Sequence, residues 1–162
     1  MPELTRAAAT AYLDNVPAIT LLNPWAHAIT HLGKDVENRG WPAPDVVRRI
    51  LIHAGKGWDE HCDLDVDDVT TSAIVAVADV VGMCGRARRG VACSCGRWAR
   101  PDQFHWYLGN VLVLPEPVDG VSGARRLWYP QPGVVTRVAR QVLMAWSLAA
   151  APGVAGRAVV SS

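Results

Sequence analysis

The chain has 162 residues, 50% of them apolar, which is enough for one domain with its own core and too few for two of ordinary size. Sixteen basic against fifteen acidic residues leave a formal charge of +1, which excludes a protein that coats nucleic acid by bulk electrostatics, so any such contact must be local. No run approaches the roughly 18 apolar residues of a membrane span, and the start, with Glu3, Arg6 and Asp14 around an alanine run, lacks the apolar stretch of a secretory signal. The expected location is the cytoplasm, where the cysteines Cys62, Cys84, Cys93 and Cys95 stay as thiols.

Taken in order, residues 3–13 read as a short alanine-rich helix and 18–22 (AITLL) as a first buried strand. Pro24 suits a helix start, and Trp25, Ala28, Ile29 and Leu32 recur on one helical face before the stop at Gly33. The segment after Lys34, DVENRGW, reads as extended and closes at Pro42 and Pro44. Residues 48–55 (RRILIHAG), 73–81 and 104–114 are β-branched or aromatic runs bounded by breakers, with Gly109 a bend in the last. Residues 84–102, rich in Gly, Arg and Cys and without period, form a long inserted loop that has too few apolar residues to order itself by packing; it is expected to be disordered or held by a metal. A short strand at 124–129 precedes a helix over 133–150, with Val135, Val138, Val142, Ala145 and Trp146 at helical spacing, and residues 151–162 are expected to be a flexible tail. These elements define an N-terminal helical extension (1–16), a barrel-like domain (17–132) and a C-terminal helix. The fold class is α+β, a small mixed β-barrel with a helix between the first strands.

Charge is unevenly placed. Asp59, Glu60, Asp63, Asp65, Asp67 and Asp68 form an acidic stretch, whereas Arg86, Arg88, Arg89, Arg97 and Arg100 form a basic one, either solvated loops or a phosphate-contacting patch. The only lysines are Lys34 and Lys56. The densest polar constellation is Lys34, Glu37, Asn38 and Arg39. Brought against a core edge, these groups must be paired, and together they offer a cation, a carboxylate, an amide and a guanidinium to a nucleobase edge and a nearby phosphate. Trp25 and Trp41 flank the segment, each either a stacking face or core; His53 on its strand and His105 are each either a satisfied structural histidine or a functional one, with Trp106 beside His105 open as a further stacking face.

The string PWAHAITHLGKDVENRGWP, followed by ILIHAGK and by HWYLGNVLVLPEPVDG…LW, resembles the ASCH domain, a member of the PUA-like superfamily, over residues 18–130. The resemblance implies a cleft between the helix and the barrel that takes RNA or a nucleotide, with pocket roles for Lys34, Glu37, Arg39 and Trp25; the residues themselves add Asn38, Trp41 and His53 as candidate ligand contacts and leave a modified nucleobase or DNA open as the ligand. Some small members remove an acyl group from the N4 amine of cytidine with a Lys, a Thr three residues later and a distant Glu. Lys34 matches that lysine, but Glu37 stands at the threonine's position; were the chain such an enzyme, Lys34 and Glu37 would be its catalytic pair. A ribonuclease and a protein-interaction module are the remaining alternatives. No cofactor is expected for binding. The one metal candidate is zinc on Cys84, Cys93 and Cys95, with Cys62, His61 or His105 open as the fourth ligand.

Overall fold

The computed structural model describes residues 4–151, so the expected tail lies, apart from Ala151, outside the described residues. Helix α1 (Arg6–Tyr12) starts at Thr5, whose hydroxyl accepts the Ala8 N–H at 3.1 Å, an ordinary threonine cap. Strand β1 (Ala18–Asn23) leads through the cis Asn23–Pro24 bond into helix α2 (Trp25–His31). Next come β2 (Val36–Arg39), β3 (Arg49–Trp58), β4 (Ala73–Cys84), β5 (Phe104–Val118), β6 (Leu127–Trp128) and the long helix α3 (Pro132–Ala150).

The six strands form one mixed sheet in the order β2-β5-β4-β3-β1-β6. Only β1 and β3 are parallel, because α2 and β2 intervene and return the chain in the same direction; β3, β4 and β5 then follow as antiparallel neighbours. Apolar side chains cover both faces. Ile50 and Ile52 of β3 pack toward α2, together with Ile19, Ile29 and Trp106, while the intervening Leu51 packs toward α1 and α3 with Ala9, Leu114, Val138 and Val142. Burial on both faces is why β3 reads as an unbroken apolar run. In β4 the alternation slips: Val75 and Ala76 both join the α2-side cluster, at the point where the β4–β5 register shifts.

The α+β class holds, but the strand ladder does not close, so the molecule is a barrel only in a loose sense. Side chains bridge the gap instead. Arg39 at the end of β2 donates from Nη2 to the Thr20 carbonyl in β1 at 3.0 Å, and the Arg126 guanidinium lies 5.5 Å from the centre of the Trp41 ring.

Three elements differ from expectation. Strand β4 runs on to Cys84, and β5 continues through Pro115 and Pro117 to Val118. Prolines end most strands, but here the Glu116 N–H between them donates to Gln141 on α3, at 3.0 Å, rather than to a strand. The expected strand at 124–129 contracts to two residues, since only Ile19 and Ala18 of β1 remain to pair with it.

Trp106 is fully buried, edge-on to Trp41 at 4.7 Å, and its indole N–H donates to the Trp41 carbonyl at 3.2 Å. Trp106→Ala is expected to lower the unfolding free energy by about 3–5 kcal/mol in a urea titration, through the cavity it leaves in the core on the α2 side of the sheet.

Candidate functional site

The cleft begins where α2 ends. Gly33 takes the left-handed conformation (φ +69°), and the Lys34 N–H closes the helix on the Ala28 carbonyl at 3.0 Å. Lys34 therefore precedes β2 rather than lying on it, which removes the strand alternation that would otherwise keep it from Glu37. Its amine donates to the Val36 carbonyl and to Glu37 Oε2, the latter at 3.3 Å. The other carboxylate oxygen lies 3.0 Å from Arg39 Nε, in ion-pair contact without the alignment of a hydrogen bond. Lys34 and Glu37 are both buried, at 3% and 6% exposure, so each has its opposite charge in reach where water is scarce.

A second pair closes the other side. Arg100 Nη1 sits 3.0 Å from Asp59 Oδ2, and Asp59 also accepts the Trp25 indole N–H at 2.8 Å and the His61 amide at 3.0 Å. Burial opposes the Asp59 charge, but these donors and the Arg100 cation outweigh it and hold the carboxyl below its ordinary value. Arg100 also lies over the Trp25 ring, 4.7 Å from its centre, and Lys34 Nζ is 5.7 Å from the same ring. Together Leu21, Leu22, Trp25, Lys34, Glu37, Asn38, Arg39, Asp59 and Arg100 enclose a cavity of about 140 Å³. At roughly 30 Å³ per water, that is space for four or five waters, or for one planar ring with its substituents.

Of the residues singled out in the sequence, Trp25, Lys34, Glu37, Asn38 and Arg39 meet in this cleft. Asn38 is there mainly as a strut: its amide donates to the Trp98 carbonyl and accepts the Arg100 N–H, at 2.8 and 2.9 Å, pinning the loop to β2. Trp41 and His53 lie elsewhere. Trp41 packs on Trp106. The imidazole of His53 points to a separate depression shared with Thr20, Lys56, Ser72 and Gly123, its Nε2 2.8 Å from the Val121 carbonyl. A Cβ on Gly123 would stand 2.3 Å from Thr20 Oγ1 and 2.7 Å from the His53 ring, so that approach requires glycine. Asp59 and Arg100 were legible only as members of charged runs, and no local spacing tied either to Lys34.

The loop between β4 and β5 is held by polar groups. Arg86 Nε donates to the Ala92 carbonyl at 2.9 Å, Cys93 Sγ is 3.4 Å from His105 Nδ1, and Cys95 Sγ is 3.1 Å from the Tyr107 hydroxyl. Cys84 and His105 face each other across the hairpin, and the ligand atoms of Cys84, Cys93, Cys95 and His105 all lie within 4.8 Å of one another, a group that could hold a metal ion. Among the fourth ligands left open by the sequence, His105 is the one brought to the three thiols.

The architecture is that of a small α+β domain with a polar cleft where α2 meets the edge strand β2, and among solved structures it is matched by ASCH domains. The ASCH protein of Zymomonas mobilis is 15% identical, the match covering 76% of this chain and 93% of that one with a TM-score of 0.49. A single-residue mutant of the same protein gives the same identity and TM-score, with 94% of its chain covered. No family model matches the sequence, and no curated protein does. Among the described residues no helix is long and apolar enough to cross a membrane.

Burial holds the His53 imidazole below its ordinary pKa, with the Val121 carbonyl acting in the opposite sense. The folded chain therefore binds this proton less readily than the unfolded one, and its contribution is full above the unfolded value of about 6.5 and lost as pH falls below it. The unfolding free energy is expected to decline from pH 7.5 to 5 in denaturant titrations, and His53→Gln is expected to flatten that slope.

Proposed function

We propose that the chain is an ASCH-type module that binds a nucleobase, free or within a nucleotide or RNA, in the cleft between α2 and β2. The observation that carries this reading is the convergence of three cations, two carboxylates and an indole on one cavity of about 140 Å³. The carboxylates of Glu37 and Asp59 accept from ring and exocyclic N–H groups, and the cationic surplus of Lys34, Arg39 and Arg100 suits a phosphate at the rim. Arg100, with 40% of its side chain exposed above Trp25, offers a planar face against which a base can stack.

Binding is favoured over hydrolysis because the two groups a deacylase would use are already engaged. The Lys34 amine has two acceptors, Val36 O and Glu37 Oε2, and Glu37 is shared between Lys34 and Arg39. An attacking amine or a proton shuttle would first have to break these contacts between buried groups.

Calorimetric titration with a panel of nucleosides, nucleoside 5′-monophosphates and short single-stranded RNA and DNA oligonucleotides tests the proposal. At least one ligand is expected to bind the wild type, with Lys34→Ala, Glu37→Gln and Trp25→Ala each weakening it by about fivefold or more, since a lost charged hydrogen bond or stacking contact removes roughly 1–3 kcal/mol. Affinity for phosphorylated ligands is expected to fall with added salt. Little turnover of N4-acetylcytidine is expected. Robust deacylation abolished by Lys34→Ala would establish the amidohydrolase instead, and cleavage of the RNA oligonucleotide would establish a ribonuclease.

A further inference from the structure

We infer that Cys84, Cys93, Cys95 and His105 form a closed structural zinc site that fixes the β4–β5 loop and, through it, the position of Arg100 in the cleft. The donor set is soft, three sulfurs and one imidazole, which selects zinc over oxygen-seeking cations. Zinc bound at about 2.3 Å to sulfur and about 2.0 Å to nitrogen spaces tetrahedral ligand atoms roughly 3.5–3.8 Å apart. Cys93 Sγ and His105 Nδ1 already stand at 3.4 Å, and no pair in the cluster exceeds 4.8 Å, so closing on an ion requires movements of an ångström or less. The rigid half of the site is built by the hairpin, where Cys84 and His105 are cross-strand partners; the C-x-C pair comes from the loop.

Two features beyond the ligands point the same way. His105 is buried, and its Nε2 is 2.7 Å from the Arg100 carbonyl, which can only accept. That contact keeps the proton of the neutral ring on Nε2 and turns the Nδ1 lone pair toward the thiols, the outer contact that orients metal-bound histidines. The Tyr107 hydroxyl, 3.1 Å from Cys95 Sγ, supplies a donor to a metal-bound thiolate. No apolar packing does comparable work in the loop: among residues 85–103 none is buried.

The same histidine carries the effect to the cleft. His105 holds the Arg100 carbonyl, Asn38 holds the Arg100 N–H, and the side chain between them reaches Asp59 and Trp25. Metal binding thus anchors one of the two backbone groups that place Arg100. The zinc site does not depend on what the cleft binds, so its test can succeed or fail separately from nucleotide binding.

The full chain would be expressed with zinc, purified without chelator and desalted. About one zinc per chain is expected, as for any four-ligand structural site, with loss in Cys93→Ser and Cys95→Ser and full retention in Cys62→Ser, whose thiol is outside the cluster. Cobalt replacing zinc in the wild type is expected to give thiolate charge-transfer and tetrahedral ligand-field bands. This keeps the test decisive even if a serine variant does not fold. Removing the metal is expected to raise amide hydrogen exchange at least about tenfold across residues 85–103, including the Arg100 N–H, with no change in β3. A metal-free protein, a disulfide among the three thiols, or octahedral cobalt bands would overturn the site. Unchanged exchange at Arg100 would overturn its link to the cleft.

Discussion

Taking a carboxylate or an ammonium out of water costs several kcal/mol unless opposite charge and hydrogen bonds replace the solvent, and the edge of this sheet buries both. Lys34 and Glu37 are tolerated there because each is the other's partner and because Arg39 and the Val36 carbonyl take up what remains. Much of the local architecture serves that pairing. Gly33 turns the chain at the end of α2 so that Lys34 arrives from the helix side, β2 supplies Glu37 and Arg39 from the sheet side, and Arg39 reaches on to Thr20 in β1. The sheet, whose ladder stays open, is bridged at the same point where its charges are satisfied.

The cleft and the cysteine loop form one connected unit. Asn38 pairs with His105 in the β2–β5 ladder, while its amide clasps the backbone of Trp98 and Arg100. A single strand thus presents charged groups to the cleft and a clasp to the loop. The loop returns Arg100 to cover Trp25 and to pair with Asp59. Because every cation in the cavity already has an anionic or aromatic partner, a ligand of the proposed kind would have to exchange contacts rather than fill empty ones. Such exchange gives discrimination more readily than raw affinity, since a wrong ligand leaves buried charges unmatched.

The sequence determined much of the fold. Apolar runs and breakers placed β1, β3, β4, β5 and the three helices, since each element buries a face whose period is local. It also determined that Lys34, Glu37, Asn38 and Arg39 would be neighbours, because they are close in the chain, and that Cys93 and Cys95 would share a loop; Cys84, read as part of that loop, ends strand β4 instead. Ends were less legible: β5 runs through two prolines because α3 supplies the partner for Glu116, a contact from residue 141.

Only the tertiary structure decided which of these residues meet. Asp59 and Arg100 lie far from Lys34 along the chain and looked like solvated charge; the return of the β4–β5 loop over α2 makes them walls of the cleft. Trp41 and His53 had the same local credentials as Trp25, but side-chain direction sent one against Trp106 and the other into a separate depression. His105 was one of several open partners for the cysteines until the antiparallel register set it opposite Cys84. In each case the deciding quantity is a long-range pairing fixed by how the whole sheet buries its two faces, and a local pattern of residues holds no record of it.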